Sequence, residues 1–303
     1  MTRSFRSLAA VVLVILGAAA CSATDDDRPT VVVSTNILGD VVSSVVGDEA
    51  RVVTLMKPNA DPHSFEISAQ DGALLRSADL VVSNGLGLEE GLQQHLDAAA
   101  AERVPTFVAG DVVDVLDYRD GDAAGTPDSH FWTDPTRMID VVTALEAVLS
   151  GLDGVDPDRI AAQTAEYTAR LSELDRTMAT TFDAIPRDRR ALVTNHHVFG
   201  YLADRYDFDV VGTVIPGGTT LAAPSASDLS DLVDALERTG VPAVFAESSA
   251  PDRLVRALAD EADLEVRVVE LFSESLTEPG GGAPDYPTMM RANADRIADG
   301  LTP

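Results

Sequence analysis

Four of the five histidines in this 303-residue chain fall in three short stretches whose neighbours could do chemistry. "DPHSFE" at 61–66 sets Asp61 two residues before His63, and "DSHFWTDP" at 128–135 repeats the arrangement with Asp128 and His130. "TNHHVFGY" at 194–201 carries the tandem pair His196 and His197. Three well-separated imidazoles that meet at one point suggest a borderline metal ion, because neutral histidine is a common ligand for zinc and its neighbours. Each aspartate could orient its loop or the imidazole, since a metal-bound ring usually donates its other N–H to a carboxylate or carbonyl. Asp61 could equally start the turn at Pro62. Phe65 and Trp132 read as packing that holds each loop still, and His95, in the polar helical stretch "LQQHLD", reads as solvated.

Elements that could bring such residues together are legible in the pattern. Short β-branched runs at 30–35, 51–56, 80–84 and 106–110 alternate with helical spacing at 67–77 and 89–101. The alternation returns with runs at 190–195, 209–215, 243–248 and 265–271, and helices at 226–239 and 252–262. Strands alternating with helices imply parallel sheets covered on both faces. The chain is therefore expected to hold two α/β lobes, 30–155 and 187–303.

Between them, residues 156–186 contain no glycine, open with Asp156–Pro157 and close at Pro186. Ile160, Tyr167, Leu171, Leu174, Met178, Phe182 and Ile185 recur at spacings of three, four and seven. One linking helix, about 40 Å long at 1.5 Å per residue, is predicted as a rigid strut between the lobes. Asp134 before Pro135 marks another helix start, with Met138, Val142, Leu145 and Leu149 on one face. In doubly wound sheets the ligand site lies beyond the carboxyl ends of the strands. His63 follows the run at 51–56, His196 and His197 follow 190–195 directly, and His130 lies on the loop feeding the helix at Pro135, so all can reach a cleft between the lobes.

The ends and the composition set further bounds. Residues 1–20 combine Arg3 and Arg6 with an apolar run from Leu8 to Ala20, the pattern of an export signal and too short for a bilayer-spanning helix. The run ends at Cys21, the single cysteine, and the small residues before it resemble a bacterial lipobox, although Ala18 stands where leucine is usual. A lipidated acidic tether over 21–29 follows from that reading, with "DDDRP" as flexible chain. One cysteine permits no internal disulfide, so stability rests on packing. A formal net charge of −28 repels nucleic acid and anionic headgroups and draws cations.

Taken in order, "NADPHSFEIS", "DSHFWTDP", "NHHVFGYLADRYDF" and "EPGGGAPDYPTMMRANADRI" resemble the four signatures of the zinc and manganese solute-binding lipoproteins of bacterial metal-uptake ABC transporters (cluster A-I, zinc-uptake type). The resemblance runs from about residue 30 to the C-terminus. It implies a monomeric, lipid-anchored, high-affinity receptor on the outer face of the cytoplasmic membrane that delivers a divalent ion to a membrane permease. It implies metal ligands at His63, His130, His196 and Asp285, with His197 as a neighbour that could replace His196. Glu247, at the end of the 243–248 run, is the reserve carboxylate, binding the metal or a ligand histidine.

Three nitrogens and one carboxylate favour Zn2+, with Mn2+ next because the stretch before His130 is short and acidic where zinc-linked family members carry a long histidine-rich loop. The implied function is not enzymatic. A secreted zinc hydrolase would need a coordination position open for water, and neither an HExxH pair nor a GxSxG elbow occurs. A surface adhesin or metallochaperone is the other alternative. Because imidazoles must shed protons to coordinate, binding is expected to weaken below about pH 6.

Overall fold

The structure is a computed structural model that describes residues 27–119, 121, 123–213, 215, 217–221, 225–248 and 266–302, without the side chains of 226–229 and 231. The export signal, Cys21, most of the acidic tether and the helix expected at 252–262 lie outside the described residues. Among the described residues, no helix is long and apolar enough to cross a membrane.

Among the described residues, eight strands form two four-stranded parallel sheets. The first contains β1 (Thr30–Val33), β2 (Arg51–Thr54), β3 (Leu80–Ser83) and β4 (Thr106–Val108) in the order β2-β1-β3-β4. The second contains β5 (Ala191–Thr194), β6 (Asp209–Thr213), β7 (Ala243–Glu247) and β8 (Arg267–Leu271) in the corresponding order β6-β5-β7-β8. β3 and β7 are buried throughout, as strands covered on both faces require, whereas the edge strands β2 and β8 are partly exposed.

Among the described residues the helices are α1 (Asn36–Val46), α2 (Ala69–Arg76), α3 (Gln93–Ala101), α4 (Pro135–Leu149), α5 (Pro157–Asp183), α6 (Gly200–Tyr206), α7 (Ala226–Thr239) and α8 (Tyr286–Leu301). Several begin where local chemistry dictates. Asp134 and Asp156 accept backbone N–H bonds at the starts of α4 and α5, each with proline at the first helical position. Ser68 and Asp71 form a reciprocal capping box on α2. Thr35 caps α1, and this is why the first strand stops at Val33 rather than at residue 35.

The helix expected at 89–101 begins only at Gln93. Gly85, Leu86 and Gly87 all adopt positive φ, so residues 84–92 form a tight loop instead. The long helix α5 buries Ile160, Tyr167, Leu171, Leu174, Met178 and Phe182 along one stripe and packs on α4, α8 and α1. One continuous core runs from Val31 and Val33 of the first sheet through that stripe to Leu192 and Phe245 of the second. Parallel strands in each sheet direct their carboxyl ends, and the loops that follow them, toward the same place.

Candidate metal centre

Among the described residues, His63, His130, His196 and Glu274 each bring a donor atom within 4.8 Å of the others. All four are buried. The loops after β2, β4, β5 and β8 supply one residue each, so both sheets contribute two. The imidazole centroids stand 5.5, 5.9 and 5.4 Å apart, close to an equilateral triangle. Every ring turns its Nε2 to the same carboxylate oxygen: Glu274 Oε1 lies 2.9 Å from His63, 3.2 Å from His130 and 3.1 Å from His196. A tetrahedron of nitrogen and oxygen donors at zinc bond lengths has edges of about 3.3 Å, close to the three oxygen–nitrogen distances here.

The two D-x-H stretches use one device. Asp61 Oδ1 accepts the backbone N–H of His63 at 2.8 Å, and Asp128 Oδ1 accepts that of His130 at 2.9 Å. Their other contacts differ. Asp128 Oδ1 also faces His130 Nδ1 at 2.8 Å, while Asp61 Oδ2 accepts the Thr220 hydroxyl at 2.6 Å. In the third stretch, the Thr194 hydroxyl bonds the carbonyl of His196.

Glu274 is held by bonds that cross between the lobes. Trp132 donates its indole N–H to the Ser273 carbonyl at 2.8 Å, Asn36 bonds Ser275 Oγ and the Leu276 N–H, and the Asn59 N–H reaches the Leu276 carbonyl. Thus Trp132 anchors the partner loop as well as packing its own.

The electrostatics suit a cation. Burial would push His130 down, but Asp128 on one nitrogen and Glu274 on the other outweigh it, and its pKa is raised to about 9. Burial likewise opposes ionisation of Glu274, yet His196 and the other two imidazoles hold it well below the usual carboxylate range. Glu274 Oε2 and the Nδ1 atoms of His63 and His196 are buried without hydrogen-bond partners among the described residues. Such groups are costly unless a hydrogen-bond partner or an ion takes them up.

Asp285 does not join the cluster. It caps α8, with Oδ1 accepting the Thr288 N–H and Oδ2 the Thr288 hydroxyl, both at 2.9 Å. The carboxylate that stands with the three imidazoles is Glu274. Two signals in the chain point this way: "PDYP" is a cap-and-proline start like those of α4 and α5, and Glu274 sits three residues past the end of β8, where a ligand-bearing loop belongs.

Glu247 is not one of the four donors; its Oε2 stands 3.6 Å from His196 Nδ1, behind that ring. His197 turns away, its Nε2 facing Thr213 Oγ1 at 3.3 Å. His95 lies half-buried on α3, beside Gly72 of α2 and apart from the cluster.

Residues 31–300 match the profile of the family described as zinc-uptake complex component A, periplasmic (ZnuA). The chain belongs to this family. Similar to it are the manganese ABC transporter substrate-binding lipoprotein PsaA of Streptococcus pneumoniae, 27% identical over 304 residues and 97% of each chain, and the zinc-binding protein TroA of Treponema pallidum, 30% identical over 92% of this chain and 91% of that one. The solved structure of TroA superposes with a TM-score of 0.83 at 27% identity, covering 91% of this chain and all of the other. As a ZnuA-family member, the chain shares with these proteins the arrangement of two helix-flanked parallel sheets, and the family is one of solute-binding components rather than enzymes.

Proposed function

We propose that this chain is an extracytoplasmic receptor that binds one divalent transition-metal ion between its two lobes and delivers it to the permease of an ABC transporter. His63, His130, His196 and Glu274 are the ligands, Zn2+ is the favoured ion and Mn2+ the next. The single observation carrying this reading is the convergence of three Nε2 atoms on one buried carboxylate oxygen. The names of PsaA and TroA, one for manganese and one for zinc, support a metal cargo and leave either ion in play.

Three nitrogens and one oxygen complete a zinc tetrahedron, and that donor count supports a carrier over a hydrolase, which keeps a position for water. Membrane attachment through Cys21 after removal of residues 1–20 belongs to the same proposal, as does a monomeric state. Lobe boundaries at 30–155 and 187–303, with 156–186 as the link, complete it.

Elemental analysis of protein purified under metal limitation, followed by zinc and manganese titration and competition, tests the reading. One ion per chain with zinc preferred is the expected result. Failure to bind either ion overturns it, and turnover of ester or peptide substrates with added zinc would favour the hydrolase instead.

A further inference from the structure

Each clustered imidazole has a carboxylate facing its Nδ1, at graded distances. Asp128 stands 2.8 Å from His130, Glu247 3.6 Å from His196, and Glu90 Oε1 4.0 Å from His63. His63 Nδ1 is buried and has no hydrogen-bond partner among the described residues, while the Glu90 side chain is 46% exposed. We propose that Glu90 is a positioning residue for His63, accepting the Nδ1–H bond when Nε2 faces the metal ion and thereby setting how long the ion is held. The inference rests on the receptor reading above.

The physical reason lies in the imidazole itself. A neutral ring has one N–H, so the nitrogen that coordinates must be the one without it, and the proton sits on Nδ1. Left unpaired in a buried place, that N–H carries an uncompensated desolvation penalty. Glu90 is the carboxylate within reach. Moving from 4.0 Å to a charge-assisted bond of about 2.8 Å requires only a rotation of an exposed side chain.

The loop is built to present it. Glu89 turns inward, its Oε1 accepting the Ser34 hydroxyl at 2.7 Å and the Asn84 N–H at 2.6 Å, and its Oε2 the Gly85 N–H at 3.1 Å. This anchors the backbone one residue before Glu90. One residue after it, a Cβ on Gly91 would lie 2.5 Å from the Phe65 carbonyl oxygen, so the loop is seated directly on the segment that carries His63. Glu90 is therefore delivered to a fixed place over the ring, with only its side chain free to move.

Zinc release into excess chelator from the full chain, measured for wild type, Glu90→Ala, Glu90→Gln and Glu102→Ala, tests the proposal. Glu102 pairs with Arg76 on the exposed surface and serves as a control for lost charge. Glu90→Ala is expected to release zinc about 10- to 100-fold faster with the melting temperature of the metal-free protein unchanged. Glu90→Gln, which keeps an acceptor oxygen, should recover most of the difference, and Glu102→Ala should match wild type. In zinc-loaded protein, NMR should show the His63 Nδ1–H exchanging with solvent faster in Glu90→Ala than in wild type. Release from Glu90→Ala within about twofold of wild type overturns the proposal, as does Glu90→Gln releasing as fast as Glu90→Ala, which would assign the effect to charge alone. Wild-type protein that binds no zinc would instead overturn the receptor reading, and this inference with it.

Discussion

Asp128 grips His130 twice with one oxygen: Oδ1 accepts the backbone N–H at 2.9 Å and faces the ring Nδ1 at 2.8 Å. The ring is thereby fixed with Nε2 toward Glu274, whereas Asp61 fixes only the backbone of His63. Asp128→Ala should weaken zinc binding about 10- to 100-fold. Asp61→Ala should lose less than about tenfold, because its ring keeps no bond from that carboxylate. Calorimetric titration of both variants checks the order, and equal losses would contradict it.

The oxygen donor separates the site seen in the structure from the one implied by family signatures. Glu274→Ala should lower zinc affinity by at least a factor of about 100, or roughly 3 kcal/mol. Asp285→Ala should leave affinity at pH 7.5 within about twofold of wild type. Its cost falls on folding: at pH 5, where Asp40 beside it is protonated, loss of the cap should destabilise the protein by about 1 kcal/mol. Affinity measurements and denaturant melts on the two variants decide between them.

Proton release follows from His130. With its pKa raised to about 9 in the metal-free protein, the ring is charged at pH 7.5 and must give up a proton as the ion enters. Zinc titrations in buffers of different ionisation enthalpy should report about one proton released per ion, and affinity should keep rising with pH up to about 9. The window therefore lies higher than the pH 6 expected from ordinary imidazoles. In the metal-free protein the sign reverses: the stabilisation from charged His130 is complete below its unfolded value of 6.5 and is lost as pH rises through about 9. Heats independent of buffer would count against this account.

Asp40 offers a stability test away from the metal. Burial first, and then the nearby Asp285, raise it to about 6 against the opposing pull of the Tyr286 N–H it accepts. A folded pKa above the unfolded 3.8 makes its contribution favourable at low pH and lost as pH rises through 6. Asp40→Asn, which can still accept the Tyr286 N–H, should gain about 1–3 kcal/mol at pH 8 and nothing near pH 3.5. Denaturant melts at the two pH values would show the difference, and an equal effect at both would rule out the ionisation as its source.

Much of the fold was legible because its signals are local. Asp134–Pro135 and Asp156–Pro157 announce helix starts through the chemistry of free N–H groups, and the apolar stripe of α5 follows from helical periodicity. The delayed start of α3 was not legible, since the tight loop depends on Leu86 accepting positive φ and on Glu89 finding Ser34, 55 residues away in the chain. α1 and α8 were not read from the pattern although both carry start signals, Thr35 capping the one and Asp285 with Pro287 opening the other as at α4 and α5.

By itself, the sequence pointed to a two-lobed α/β protein and to His63, His130 and one of the tandem pair His196 and His197 as residues able to gather on one ion. Those facts reside in residue type and short-range spacing. Only the tertiary structure brings Glu274 rather than Asp285 to the imidazoles, and turns His196 rather than His197 inward. An aspartate can cap a helix or reach toward a cation with the same two oxygens, and which it does depends on where the chain puts its Cα. Trp132 and Asn36, bonding across the lobes to the segment around Glu274, make that choice through contacts separated by more than 140 residues of chain.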